Sequence, residues 1–196
     1  MKLRRALSAS AATAALLPLA VAAAPASQAA PATDIPKCSD VGQNNNNAFV
    51  GRTFGIPKSI TLGADWTTYT ATLTNASAKE LKSFELSAKL GSYVYNEGEH
   101  DLSPYGDLQY WDTSQSAWKT LREANGNAGG TLPAPKALKP RESVHVQLRF
   151  RVGKDLPMDH AYDAFTGLTG TFADRYHDTD CTSQGDAVGG FSPRTG

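Results

Sequence analysis

The stretch Trp66–Asn75, "WTTYTATLTN", decides the fold. Tyr69, Ala71 and Leu73 fall on odd positions, and Thr68, Thr70, Thr72 and Thr74 fall on even ones. A repeat of two is the signature of an extended strand with one face on a core and the other in water. Threonine suits the wet face, because its branched β-carbon favours extended backbone and its hydroxyl tolerates solvent. The stretch therefore reads as a half-buried strand.

Other segments repeat the pattern. In "FELSAKL" (Phe84–Leu90), Phe84, Leu86, Ala88 and Leu90 face one way and Glu85, Ser87 and Lys89 the other. "SVHVQLRFRV" (Ser143–Val152) alternates Val144, Val146, Leu148, Phe150 and Val152 with His145, Gln147, Arg149 and Arg151. "DLQYW" and "AWKTL" flank the polar run "DTSQS" and predict a hairpin. "GLTGTFADRY" is a late strand with Leu168, Phe172 and Tyr176 on one parity. Outside the first thirty residues no apolar stripe of helical spacing runs for ten residues or more. About seven short strands punctuated by Gly, Pro and Asn predict an all-β sandwich. Two longer connections, Glu123–Pro140 and Gly153–Thr166, are of a length often given to function.

The chain has 196 residues, with 19 Lys plus Arg and 19 Asp plus Glu. Its start, "MKLRR" followed by "ALSASAATAALLPLAVAAA" and small residues up to Ala29 or Ala32, predicts a secretory signal peptide over residues 1–30. The apolar run, interrupted by Pro18 and Pro25, is short of the roughly 20 residues that a membrane span needs. Removing it takes away Lys2, Arg4 and Arg5 and no acid, so 16 basic residues face 19 acidic ones. That balance disfavours nucleic acid or an anionic membrane surface as the main partner. No membrane insertion is expected once the signal is removed. Cys38 and Cys181 both remain, and in an exported chain two thiols predict one disulfide joining the domain's start to its end.

Motifs for catalysis are missing from the sequence. His100, His145, His160 and His177 are scattered among polar residues and read as solvated imidazoles. There is no Gly-x-Ser-x-Gly elbow, no HExxH pair and no glycine-rich phosphate loop after a strand. A copper site of cupredoxin type needs His and Met just beyond its cysteine, and "TSQGDAVGGF" after Cys181 has neither. Asp174, Asp178 and Asp180 are hard oxygen ligands close together and form a weak calcium candidate, though their spacing fits no EF-hand loop. No cofactor is expected.

Tyr93, Tyr95, Tyr105, Tyr110, Trp111 and Trp118 fall within 26 residues. Such rings build either a core or a sugar- or peptide-binding surface. Tyr110 and Trp111 are neighbours in a strand, so one of them must face the core, and Trp118 is expected there too. For a recognition patch the candidates are Tyr93, Tyr95, Tyr105 and Trp111, on or near the loop Gly91–Asp107.

"WTTYTATLTNASAKELKSFELSAKL" resembles the opening strands of immunoglobulin-like repeats in bacterial surface proteins, where a strand ends in Asn plus small residues. "LKPRESVHVQLRFRV" resembles their later segment, with Arg141 in place of the usual glycine of a Pro-Gly turn, and "LQYWDTSQSAWKTL" fits the middle hairpin. The resemblance spans about Gly55 to Cys181. It implies an immunoglobulin-like antiparallel sandwich, and members are commonly stalks, spacers or adhesive modules. The closing "GGFSPRTG" shows no sortase motif, so release or non-covalent retention is expected. The expected organisation is a signal peptide (1–30), a loose lead-in (31–52), the sandwich (53–185) and a short tail (186–196). The expected function is a secreted, extracellular, non-enzymatic module that binds an unknown protein or cell-wall glycan, or serves structurally. The alternatives are a carbohydrate-recognition module using exposed aromatics, and a small secreted enzyme or hydrolase inhibitor.

Overall fold

The alternation seen in the sequence becomes two facing β-sheets. The computed structural model describes residues 35–43 and 48–196. The expected signal peptide, most of the first part of the lead-in and the run Asn44–Asn47 lie outside the described residues. The strands are β1 (Phe49–Phe54), β2 (Ser59–Thr61), β3 (Thr67–Asn75), β4 (Leu81–Tyr93), β5 (Gly106–Asp112) and β6 (Ala117–Leu121). They continue as β7 (Gly129–Leu132), β8 (Ala137–Leu138), β9 (Ser143–Val152), β10 (Asp163–Tyr176) and β11 (Thr179–Arg194). One sheet runs β1-β3-β9-β5-β6. The other runs β2-β11-β10-β4-β7, with β8 paired to β4. All pairs are antiparallel except β2 with β11.

The core fills from every second residue. Tyr69, Ala71, Leu73, Leu148, Phe150 and Val152 from the first sheet meet Leu86, Ala88, Leu90, Leu168 and Phe172 from the second, all buried. One polar link crosses this interior: the Tyr69 hydroxyl and Thr166 Oγ1 lie 2.7 Å apart. Burial pushes the Tyr69 phenol pKa up, and the Thr166 bond only partly offsets it.

The expected "about seven" strands are eleven segments, since β1, β7, β8 and β11 lie wholly or largely in stretches read as lead-in, connection or loop and tail. The lead-in expectation is corrected at Phe49–Phe54, where β1 pairs along β3. The tail expectation is corrected as well, because Asp186–Arg194 completes β11 and buries Ala187 and Phe191. Glycine hid both. A Cβ on Gly51 would come 1.9 Å from the Asp186 carbonyl oxygen, and one on Gly185 would come 2.4 Å from the Phe49 ring. The sheets approach almost backbone to backbone along this seam, so the strands carry little apolar signal. In β4 the alternation slips after Leu81, where Ser83 at φ 52° and Phe84 make a bulge opposite Phe172.

The turn chemistry explains the two motifs of the resemblance. Asn75 is fully buried. Its side-chain amide donates to the Lys79 and Leu138 carbonyls, and its oxygen accepts from Ser77 N and Oγ. The asparagine thus staples the β3–β4 turn to β8. Pro140 and Arg141 sit inside a turn closed by Glu142 N–H to the Lys139 carbonyl at 3.0 Å. Arg141 has φ 66°, the left-handed conformation that a type II turn requires at its third residue.

Cys38 and Cys181 form a disulfide that closes a loop of 143 residues. Two outcomes follow. Opening the bond with Cys38→Ser plus Cys181→Ser lowers unfolding free energy in guanidinium by about 5 kcal/mol in the chain-entropy account. Arg141→Gly leaves it equal or higher by up to about 1 kcal/mol, since left-handed strain is relieved against a more flexible unfolded chain.

Candidate functional site

The patch expected from the sequence divides into three places. Tyr93 and Tyr95 come together on the outside of the β4–β10 pair. Their ring centroids are 6.1 Å apart, and Tyr93 stacks on Phe165 at 4.8 Å. Both tyrosines are well exposed, at 51% and 69%. The ledge is held from below: the Tyr95 hydroxyl donates to Asp163 Oδ2 at 3.0 Å and Glu99 Oε2 accepts from the Tyr95 N–H at 2.8 Å. The Asp163 bond raises the Tyr95 pKa, and the Asn96 amide bonded to Glu99 lowers that of the carboxyl. Asp101 ties the end of the loop back, accepting from Ser92 N and Ser103 N.

Tyr105 is elsewhere, half-buried in a 3-10 turn (Ser103–Tyr105) and packed against the core. Trp111 is on the other sheet altogether. Tyr110, its neighbour, packs against the core, and Trp111 points outward. Trp118 is directly opposite Trp111 in the β5–β6 hairpin, so the expectation that it is a core residue is overturned. Hairpin register places opposed residues on one face, and here that face is solvent.

The outer face of β1-β3-β9-β5-β6 holds an arrangement that the aromatic count missed. All three tryptophans of the chain lie there. The Arg149 guanidinium stacks between Trp66, at 4.5 Å, and Trp118, at 4.3 Å, and Arg151 covers Trp66 at 4.7 Å. Trp118 meets Trp111 edge-on at 5.4 Å. Gln109 locks the row: its oxygen accepts Arg149 Nε at 2.8 Å and its amide donates to Thr120 at 3.0 Å. Asp107 bridges Arg122 and Arg151 at 2.5 and 2.8 Å. Partial burial first, and the Arg151 charge second, lower the Arg149 pKa; a guanidinium starts so high that it stays charged. The threonines of the opening stretch, Thr68, Thr70 and Thr72, pave the same face beside Arg149, Gln147 and His145. The signal was present as outward parity in each strand, but the alignment between strands was not.

Past the Tyr110–Leu148 pair, β5 leaves β9 and a groove of about 340 Å³ opens. Trp111, Thr70, His145 and Gln147 form its rim, with Tyr110, Leu132, Val144 and Val146 beneath. A second groove, of about 330 Å³, is bordered by Asp107, Arg122, Arg151 and Asp155. A third, of about 390 Å³, lies by the disulfide and is lined by Lys37, Gln43, Ser183 and Gln184. None of the three gathers a histidine with two carboxylates. His100 and His160, sixty positions apart in sequence, do meet, with ring centroids 6.1 Å apart beside Asp159, but outside these grooves.

The calcium candidate is overturned. Asp174 shares the inward face of the β10–β11 hairpin with Cys181 and accepts from Ser183, while Asp180 lies on the opposite face beside Arg175. Asp178 lies in the tight turn between the strands. Among the described residues no three acidic, histidine or cysteine side chains converge on a metal position.

No family model and no curated protein matches the chain. Among solved structures it is similar to AvmM, which catalyzes macrocyclization in alchivemycin A biosynthesis, with 15% identity and a TM-score of 0.49 over 77% of this chain and 91% of that one. It is also similar to the human F-spondin reeler domain (fragment 1), with 17% identity and a TM-score of 0.38 over 75% and 89% of the two chains. The major pilin subunit of Bacillus cereus gives 11% identity and a TM-score of 0.36, and the match covers 75% of this chain and 40% of the pilin. Likenesses at these identities and scores carry nothing about function.

The stacked row has a measurable weight. Trp118→Ala removes one wall of the Arg149 sandwich and the edge contact to Trp111, and lowers stability in urea by about 1–2 kcal/mol.

Proposed function

We propose that the protein is a secreted, non-catalytic binding module that works at the cell surface and meets a cell-wall glycan through the Tyr93–Tyr95–Phe165 ledge. The observation that carries this reading is the ledge itself, three adjoining rings of which Tyr93 and Tyr95 are open to solvent, at one end of the second sheet. Tyrosine offers a rigid apolar plate with a polar rim, which buries area at small entropic cost and suits the mixed face of a sugar ring. The hydrogen bonds to Asp163 and Glu99 fix the plate before any ligand arrives, which reduces the cost of binding.

Three features support the setting. The disulfide suits an oxidising compartment. No helix among the described residues is long and apolar enough to cross a membrane. The N-terminal thirty residues have the composition of an export signal. The resemblance to immunoglobulin-like repeats of surface proteins points the same way. A non-catalytic role is supported by the grooves, none of which gathers a histidine with two carboxylates.

Sedimentation with insoluble wall material tests this. The double variant Tyr93→Ala plus Tyr95→Ala, with circular dichroism unchanged, is expected to lose about tenfold or more in affinity, the scale of an aromatic hot spot. Equal retention of variant and wild type on the wall overturns the reading. Retention that is abolished by protease treatment of the wall assigns the ledge to a protein partner instead.

A further inference from the structure

The opposite sheet carries a second surface with a different chemistry. Strand alternation places Arg52, Arg149 and Arg151 outward on the first sheet, with Arg122 at its rim. Asp107 is the one carboxylate among the outward positions of these strands. On the strands themselves Arg52, Arg149 and Arg151 stand against Asp107 alone, a surplus of two positive charges, in a chain whose formal net charge is +0. The segregation is local, and it points to an anionic partner that docks flat.

Arg149 is the centre of that face. Its Nε is engaged by Gln109, its flat sides are covered by Trp66 and Trp118, and its two terminal nitrogens have no acceptor among the described residues. A guanidinium so held offers two parallel N–H donors, the geometry that a carboxylate fills with both oxygens. Thr68, Thr70, Thr120 and Gln147 present hydroxyls and an amide, which pair with sugar hydroxyls. The groove rimmed by Trp111, of about 340 Å³, begins on the same face.

We infer that the Trp66–Arg149–Trp118–Trp111 face is a second binding site, taking a carboxylate-bearing acidic polysaccharide with one uronate carboxylate on Arg149. A nucleic acid fits less well. The faces of Trp66 and Trp118 are already covered by guanidinium, leaving few open plates for base stacking. The disulfide also suits a compartment where the abundant polyanions are glycans.

Calorimetric titration of the full chain separates the outcomes. Polygalacturonate oligomers are expected to bind, more weakly as salt rises, and neutral dextran is not. Arg149→Lys keeps the charge but loses the planar fork, and is expected to weaken binding by about tenfold or more. Arg151→Gln, at an exposed position, reads the same surface if the Arg149 variant unfolds, and is expected to weaken binding severalfold. The Tyr93→Ala plus Tyr95→Ala variant binds polygalacturonate like wild type, so this site stands or falls apart from the tyrosine ledge. The inference is overturned by any of four results: no binding of polygalacturonate, equal binding of dextran, unchanged affinity in both arginine variants, or preference for dextran sulfate, which has no carboxylate, or for a thymidine oligonucleotide.

Discussion

The register between β3, β9 and β5 is the constraint on which the rest of the molecule depends. Thr68 opposite Arg149, and Arg149 opposite Gln109, set which side chains share a face. Moving β9 by one residue would turn Leu148 and Phe150 to water and drive Arg149 and Arg151 into the interior. An unpaired charge there costs several kcal/mol at least. The oily layer and the tryptophan–arginine row are therefore two consequences of one alignment, and neither is adjustable without the other.

The two sheets have come to present opposite characters. One ends in tyrosines anchored by carboxylates, Asp163 and Glu99. The other spreads tryptophans under guanidiniums, braced by Gln109 and Asp107. In both, polar groups below the rings fix the aromatic surface, so little side-chain freedom is left to lose on contact. Rigidity built this way is a property of the free protein.

The sandwich was legible because β3, β9 and the β5–β6 hairpin each show a clean period of two over several residues. What escaped lies where that signal is weak for a physical reason. Gly51, Gly185 and Gly189 let β1 and β11 approach closely, and a strand that needs glycine cannot also advertise itself with large apolar residues. The bulge at Ser83 breaks parity between Leu81 and Phe84. Arg141 could be recognised as replacing a glycine, but only the backbone shows that the left-handed turn survives the replacement. For the candidate sites, the density of aromatics between Tyr93 and Trp118 was visible, but their division between two sheets was not. Trp66 lies 45 positions before Trp111, and Arg149 another 38 after it. Only strand pairing brings them into a row.

The sulfur bridge also bears on how the molecule would behave under tension. Cys38 enters beside β11, where Lys37 bridges to Thr182. A pull applied through the segment before Cys38 passes straight into the start of β11 and bypasses the short strand β1. Everything between residues 38 and 181 lies inside a covalent ring, so stretching the chain lengthens only what is outside it. Such a body keeps β1 to β10 inside a closed ring while it is being dragged, and only the part of β11 beyond Cys181 is open to peeling.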